Sequence, residues 1–149
     1  MFKDRIMTGA LIGILADIIK LTANYIMYQL NFTKVVFWQI VATRFLDREY
    51  LFMPVAYFIG GVADLVVTAV LGVVFVIIIY FSGKDYLWIK GIGYAMFLWV
   101  GLFGTVLGAS VQEKIPQGPS AIMVTIVAHF VYGLGFALFT RYLYKEEKG

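Results

Sequence analysis

The sequence predicts an all-α membrane protein: four transmembrane helices plus a short interfacial or re-entrant helix between the first and second. Composition is the first observation behind this reading. Hydrophobic residues make up 62% of the 149 residues and charged residues 14%, whereas soluble domains carry about 25% charged and about 45–50% apolar residues. Mean hydropathy, at +0.88, points the same way. The second observation is length: four apolar stretches reach the ~20 residues needed to cross a ~30 Å hydrocarbon core. The third is that the loops between them are too short to hold a soluble domain. Residues 1–149 therefore read as a single four-helix integral membrane domain.

The first span runs from about Thr8 to Leu30. Its basic prelude, MFKDRIMTG, resembles the start of a signal peptide. The apolar run is longer than a 7–15-residue signal core, however, and it carries Asp17, Lys20 and Asn24, so an uncleaved helix is expected. The connection that follows, NFTKVVFWQIVATRFLDREYLFMP, is too long for a tight hairpin. From Thr33 to Leu46 it predicts a short helix with Thr33 as N-cap. Val36, Phe37, Ile40, Val41 and Phe45 recur there at helical spacing, and Gln39, Thr43, Arg44 and Asp47 lie largely elsewhere. An apolar stretch of about 10–14 residues reads as interfacial or re-entrant. It is expected to pack on the outer surface, or to act as a lid over a cavity.

Pro54 opens the second span, about Val55 to Phe81, at a position where a missing N–H costs little. Gly83 in FSGKDY marks its stop. The third span covers about Leu87 to Val111, and the turn QEKIPQGPS leads to the fourth, Ser120 to Tyr142, with Ser120 as its cap. The tail RYLYKEEKG reads as a solvated helix end. None of these connections carries a nucleotide or phosphate motif. The sequence has no cysteine, which excludes disulfides, thiolate metal sites and cysteine nucleophiles.

Lysines and arginines near the span ends set orientation. Lys3, Arg5, Lys84, Lys90, Arg141, Lys145 and Lys148 fall on one side; Lys34, Arg44, Arg48 and Lys114 fall on the other. This bias predicts cytoplasmic N- and C-termini. The expected partners are the lipid bilayer and either a homo-oligomer or a larger membrane complex. The net charge of +3 sits in flanking segments, so no nucleic-acid partner is expected.

Four-residue steps along each span expose small and polar stripes. Span one offers Gly9, Gly13 and Asp17, flanked by Lys20 and Asn24; span two offers Ala56, Gly60, Asp64, Thr68 and Gly72. Span three offers Gly93, Gly101, Gly104 and Gly108, and span four Ala121, Thr125, His129, Gly133, Ala137 and Arg141. Residues four apart stack on one helix face. Small residues permit close backbone approach and polar ones bond across helices, so these faces are expected to turn inward. Gly13, Gly60, Gly101, Gly104, Gly108 and Gly133 are the predicted helix-packing glycines.

Lys20, Asp64 and His129 each lie about ten residues below the outer end of their span, which places them roughly 15 Å deep, near the midplane. Asp17 lies about one turn to the cytoplasmic side and Asn24 about one turn to the outer side. A single intramembrane charge costs at least ~2.5–3.5 kcal/mol on insertion scales, so a convergent cluster of Asp17, Lys20, Asn24, Asp64 and His129 calls for a reason. The set is neutral overall if His129 stays unprotonated and one acid holds a proton. Plain structural readings exist for each residue: Asp17 and Lys20 can pair along their own helix, Asp64 can bond a neighbouring span, and His129 can be a hydrogen-bonded core residue.

Enzymatic chemistry finds little support. No metal-ligand spacing surrounds His129, Asp17 and Asp64, and no cofactor motif is present. The aspartate contexts LADI and GVADL lack the Tyr-Asp and Gly-x-Gly-Asp signatures of intramembrane aspartyl proteases. Ser82, Ser110 and Ser120 lie at span ends, far from His129. A non-enzymatic protein is expected, with neither metal nor cofactor. A protonatable midplane cluster is what a carrier or ion pathway needs, although the span-one glutamate of small multidrug exporters and the signatures of fluoride channels are missing.

TGALIGILADIIKLTAN, FWQIVATRFL and the closing AHFVYGLGFALFTRYLY resemble small bacterial four-span proteins of the YqhR and YagU-like type. That resemblance implies a multi-pass protein of the bacterial inner membrane and no particular activity. The expected function is a small transport or channel-like component with a polar, protonatable bundle interior. The alternative is a non-catalytic membrane scaffold or accessory subunit whose buried charges fix helix docking. A water-lined cavity at the cluster would favour the first, and a dry, fully paired cluster the second.

Overall fold

The computed structural model describes residues 4–145; Lys3 and Lys148, which entered the charge comparison, lie outside the described residues. Four helices are long and apolar enough to cross a membrane: span one (Arg5–Gln29), span two (Pro54–Ser82), span three (Leu87–Lys114) and span four (Pro119–Leu143). No strand occurs among the described residues. A short connecting helix, Phe37–Ala42, and a single 3₁₀ turn, Arg48–Tyr50, lie between spans one and two. The architecture is that of a multi-pass, all-α membrane protein.

Local signals account for the helix ends. Asp4 caps span one, its carboxylate accepting from the Ile6 N–H at 2.7 Å. Pro54 and Pro119 each occupy a first helical turn, where the absent N–H has no partner to lose. Gly83 ends span two at φ 75°, a left-handed conformation that costs glycine nothing. Ser120, expected as a cap, lies inside span four instead: Gly118 is the cap residue, and the Ser120 hydroxyl donates to Phe32 O at 2.9 Å. That bond ties the end of span one to the start of span four.

Span one packs against span two on one flank and span four on the other, and span three packs against span four. Glycines set the approach. A Cβ at Gly13 would run into the Thr68 carbonyl oxygen, and one at Gly91 would lie 2.5 Å from Gly133 O. Both crossings therefore bring backbone onto backbone, the close contact that association in lipid favours. At the end holding residues 4 and 145, Phe75, Tyr94, Tyr132 and Phe136 form an aromatic core with ring separations of 4.5–5.2 Å. Spans two and three meet there through Tyr94, whose hydroxyl donates to Leu71 O at 2.7 Å. Towards the other end of the bundle the two spans enclose a cavity.

Span three departs from its predicted face. Its stretch Trp99–Leu107 winds as a π-helix, a wider coil that occurs mostly as single turns and often near functional sites. Its buried positions run Leu87, Gly91, Ala95 and Leu98, then step five residues to Phe103. A four-residue period cannot follow that shift. Gly93 and Gly101, predicted inward, have no atom within 4 Å of a Cβ built on them. The closest neighbours of Gly104 and Gly108 are Trp99 O and Phe103 O of their own span. The three predicted packing glycines Gly101, Gly104 and Gly108 therefore do not bring helices together; Gly91 does.

The connecting helix is shorter than predicted and lies deeper. Thr33 is not its N-cap, and Gln39 and Thr43, expected off the apolar face, are buried with it. The helix starts after Val36, and Phe37, Gln39, Ile40, Val41, Ala42 and Thr43 are all buried. Gln39 accepts from Val36 N–H at 2.9 Å and donates to Leu51 O at 2.9 Å. The hydroxyls of Thr43 and Ser110 share a 2.8 Å bond. Lys114 donates to Thr43 O at 2.9 Å and Leu46 O at 2.8 Å, satisfying carbonyls left open at the helix end. The segment is a buried plug, fastened to the Lys114 end of span three.

Candidate functional site

The predicted charges do converge. Lys20 Nζ lies 2.7 Å from Asp17 Oδ1 on its own helix and 3.2 Å from Asp64 Oδ1 on span two. Pairing is thus both local and across the bundle. The Asp17 contact has the distance of an ion pair without the alignment of a hydrogen bond, and both Asp17 oxygens lack a hydrogen-bond partner. Asp64 Oδ2 accepts from Trp38 Nε1 of the connecting helix at 3.3 Å. The Phe37 ring caps the ammonium, 3.9 Å from Nζ to its centroid, a favourable place for a desolvated cation. All three charged side chains are nearly fully buried. Burial of this kind is tolerated only with partners in place, and stranding one member costs about 3–5 kcal/mol.

Asn24 stands apart from the ion triad. Its Oδ1 accepts from the Phe37 backbone N–H at 2.9 Å, so it docks the connecting helix at its first turn. Gly60 has the matching role on span two, where a Cβ would collide with the Trp38 carbonyl oxygen. Both residues let the plug descend far enough for Phe37 and Trp38 to reach the charges. Sequence periodicity placed Asn24 and Gly60 on inward faces but could not name the plug as what they meet. Gly133, on span four, meets the backbone of Gly91 and Ile92.

His129 makes no ion pair. Its Nδ1 lies 2.8 Å from Thr125 O on the preceding turn, and its ring sits among Phe37, Phe103 and Tyr132 at centroid distances of 5.8, 6.3 and 6.2 Å. No group of three or more metal-ligating side chains occurs among the described residues.

A cavity of about 340 Å³ reaches this cluster. Ala63, Val67 and Leu71 of span two form one wall, and Leu98, Leu102 and Val106 of span three form the other. Its inner surface includes Lys20, Asp64, His129 and the Tyr132 ring, and Arg44 and Phe45 border it beside the plug. The walls are overwhelmingly apolar. Val67, Leu102 and Val106 on these walls are themselves partly exposed. These residues belong to spans two and three, so the opening lies along the flank of the bundle between them. The π-helical stretch supplies most of the span-three wall.

The arrangement is neither of the two expected from sequence. The charges are paired, as in a docking device, yet a cavity touches them. The lining of that cavity is mostly apolar, with Lys20, Arg44, Asp64 and His129 among it. Trp38, the π-helical wall and the Lys114 fastening were not predicted as parts of the site. Only the aromatic content of FWQIV hinted at the first of these. The chain matches no family model, no curated protein and no solved structure.

Proposed function

We propose that the protein takes lipid-soluble molecules from the bilayer into the cavity between spans two and three, as the binding unit of a small transport component. The observation that carries this reading is the cavity itself, apolar along its walls, open at span depth and ending on Lys20, Asp64 and His129. Its volume lies at the small end of the ~300–1,000 Å³ typical of ligand sites, which combine apolar walls with a few placed polar groups. On this reading the protein resides in the bacterial inner membrane with cytoplasmic termini. The lysine and arginine bias and the resemblance to small four-span proteins support that placement.

The test is photolabelling in phosphatidylcholine nanodiscs with a diazirine derivative of decane, mapped by mass spectrometry. Labelling at Val67, Leu102 and Phe103 is expected to exceed that at Phe97, which is 73% exposed on the outer face of span three. Filling the cavity with Val67→Trp should remove the excess at Leu102 and Phe103. Uniform labelling of all apolar positions, unchanged by Val67→Trp, would contradict the proposal. That outcome would favour the scaffold reading, for which the buried, mutually paired Asp17, Lys20 and Asp64 are the supporting observation.

A further inference from the structure

The polar end of the cavity narrows the chemistry of its ligand, given that the cavity is a binding site as proposed above. His129 is decisive because its tautomer follows from one contact. The Thr125 carbonyl can only accept, so Nδ1, 2.8 Å away, carries the proton. In the neutral ring Nε2 is then a bare acceptor, and no described residue donates to it. The residue is only 6% exposed and forms part of the cavity wall. An acceptor at a mostly apolar wall with no donor beside it is a place for a ligand hydrogen bond.

No described residue at that wall donates a hydrogen bond to Nε2. The Lys20 ammonium donates to Asp64 Oδ1 at 3.2 Å and is held beside the Asp17 carboxylate and the Phe37 ring. The Thr68 hydroxyl donates to Leu65 O of its own helix at 3.2 Å, leaving only lone pairs for a ligand. Tyr132 offers its ring, and its hydroxyl is sealed from the cavity. Beside His129 the wall therefore presents acceptors, with the Arg44 guanidinium at the cavity border, and Nε2 calls for a ligand that donates. Charge narrows the choice further: Lys20, Arg44 and Asp64 line the cavity and Asp17 pairs with Lys20 behind it, so the four formal charges cancel. About 340 Å³ suits one short chain or a small ring system and excludes a two-chain lipid.

We infer that the cavity binds an uncharged, lipid-soluble alcohol or phenol, whose hydroxyl donates to His129 Nε2 while its hydrocarbon lies between Val67 and Leu102.

The experiment competes the decane photolabel in nanodiscs at pH 7 with decanol, decylamine, decanoic acid and decane. One hydrogen bond should give decanol about a three- to tenfold advantage over decane, with neither charged compound exceeding it. His129→Phe, which keeps a ring in place, should erase the advantage. The wild-type protein gives a second readout, because its sequence has one histidine. In ¹⁵N-histidine spectra, decanol should shift the unprotonated nitrogen signal and decane should leave it in place. Cavity labelling with no preference for decanol and an unmoved Nε2 signal would overturn this ligand class alone. A preference for decylamine or decanoic acid would overturn it in favour of a charged ligand. Absence of cavity labelling would instead remove the binding reading beneath it.

Discussion

Replacing Lys20 with Met keeps length and most of the volume but removes the one cation among the described residues that touches Asp17 and Asp64. Lys20 contacts them at 2.7 and 3.2 Å, so one substitution strands two buried carboxylates. Breaking a buried pair costs about 3–5 kcal/mol, a large share of the ~5–15 kcal/mol that holds a typical protein folded. Asp17→Asn is far milder. Its two oxygens accept no hydrogen bond, and the Lys20–Asp64 pair and the Trp38 bond survive; a loss of about 1–2 kcal/mol is expected. Asp64→Asn falls between these, because Lys20 keeps Asp17. The triple change, Asp17→Asn with Lys20→Met and Asp64→Asn, leaves no buried charge and should unfold later than Lys20→Met alone, a coupling that simple additivity does not give. Unfolding in detergent, followed by helical circular dichroism during heating, ranks the variants. If Lys20→Met is no worse than Asp17→Asn, or the triple variant is worse than Lys20→Met, the triad does not behave as one coupled unit.

Two further predictions concern packing. Gly13→Ala drives a methyl group into the Thr68 carbonyl and should cost about 1–3 kcal/mol or more by overpacking, whereas Gly101→Ala meets open space and should leave thermal stability unchanged or raised by a few tenths of a kcal/mol. Lys114→Met removes both bonds to the carbonyls of Thr43 and Leu46; amide hydrogen exchange should then speed up across residues 37–46 while spans one and four stay protected.

Most of the fold was legible because helices in lipid obey two simple constraints. Length and apolarity placed each span end within a few residues of its observed position. The 3.6-residue period found Gly13, Asp17, Gly60, Asp64, His129 and Gly133 on inward faces, and depth counting set Lys20 level with Asp64. What failed did so for identifiable reasons. The π-helical stretch adds a residue per turn, so Gly101, Gly104 and Gly108 fell out of phase while Leu98 and Phe103 turned inward. The plug reads as polar on one face because Gln39 and Thr43 carry no local sign of their partners. Thr43 meets Ser110 and Lys114, more than 60 residues away in sequence. The cavity itself follows from how spans two and three pack, which no single span encodes.

On the proposed function, the site beside Lys20, Asp64 and His129 opens to hydrocarbon and not to water. A sequence without cysteine lets one nitroxide label be attached at a single introduced cysteine, with Val67→Cys and Leu102→Cys as cavity positions and Glu49→Cys in the exposed connection as the aqueous reference. Paramagnetic relaxation by oxygen, which concentrates in lipid, is then compared with relaxation by a water-soluble nickel chelate in nanodiscs. The account predicts high oxygen and low nickel accessibility at both cavity positions and the reverse at position 49. Nickel accessibility at positions 67 and 102 as high as at position 49 would mean a water-filled interior, and the lateral, lipid-fed cavity would be wrong.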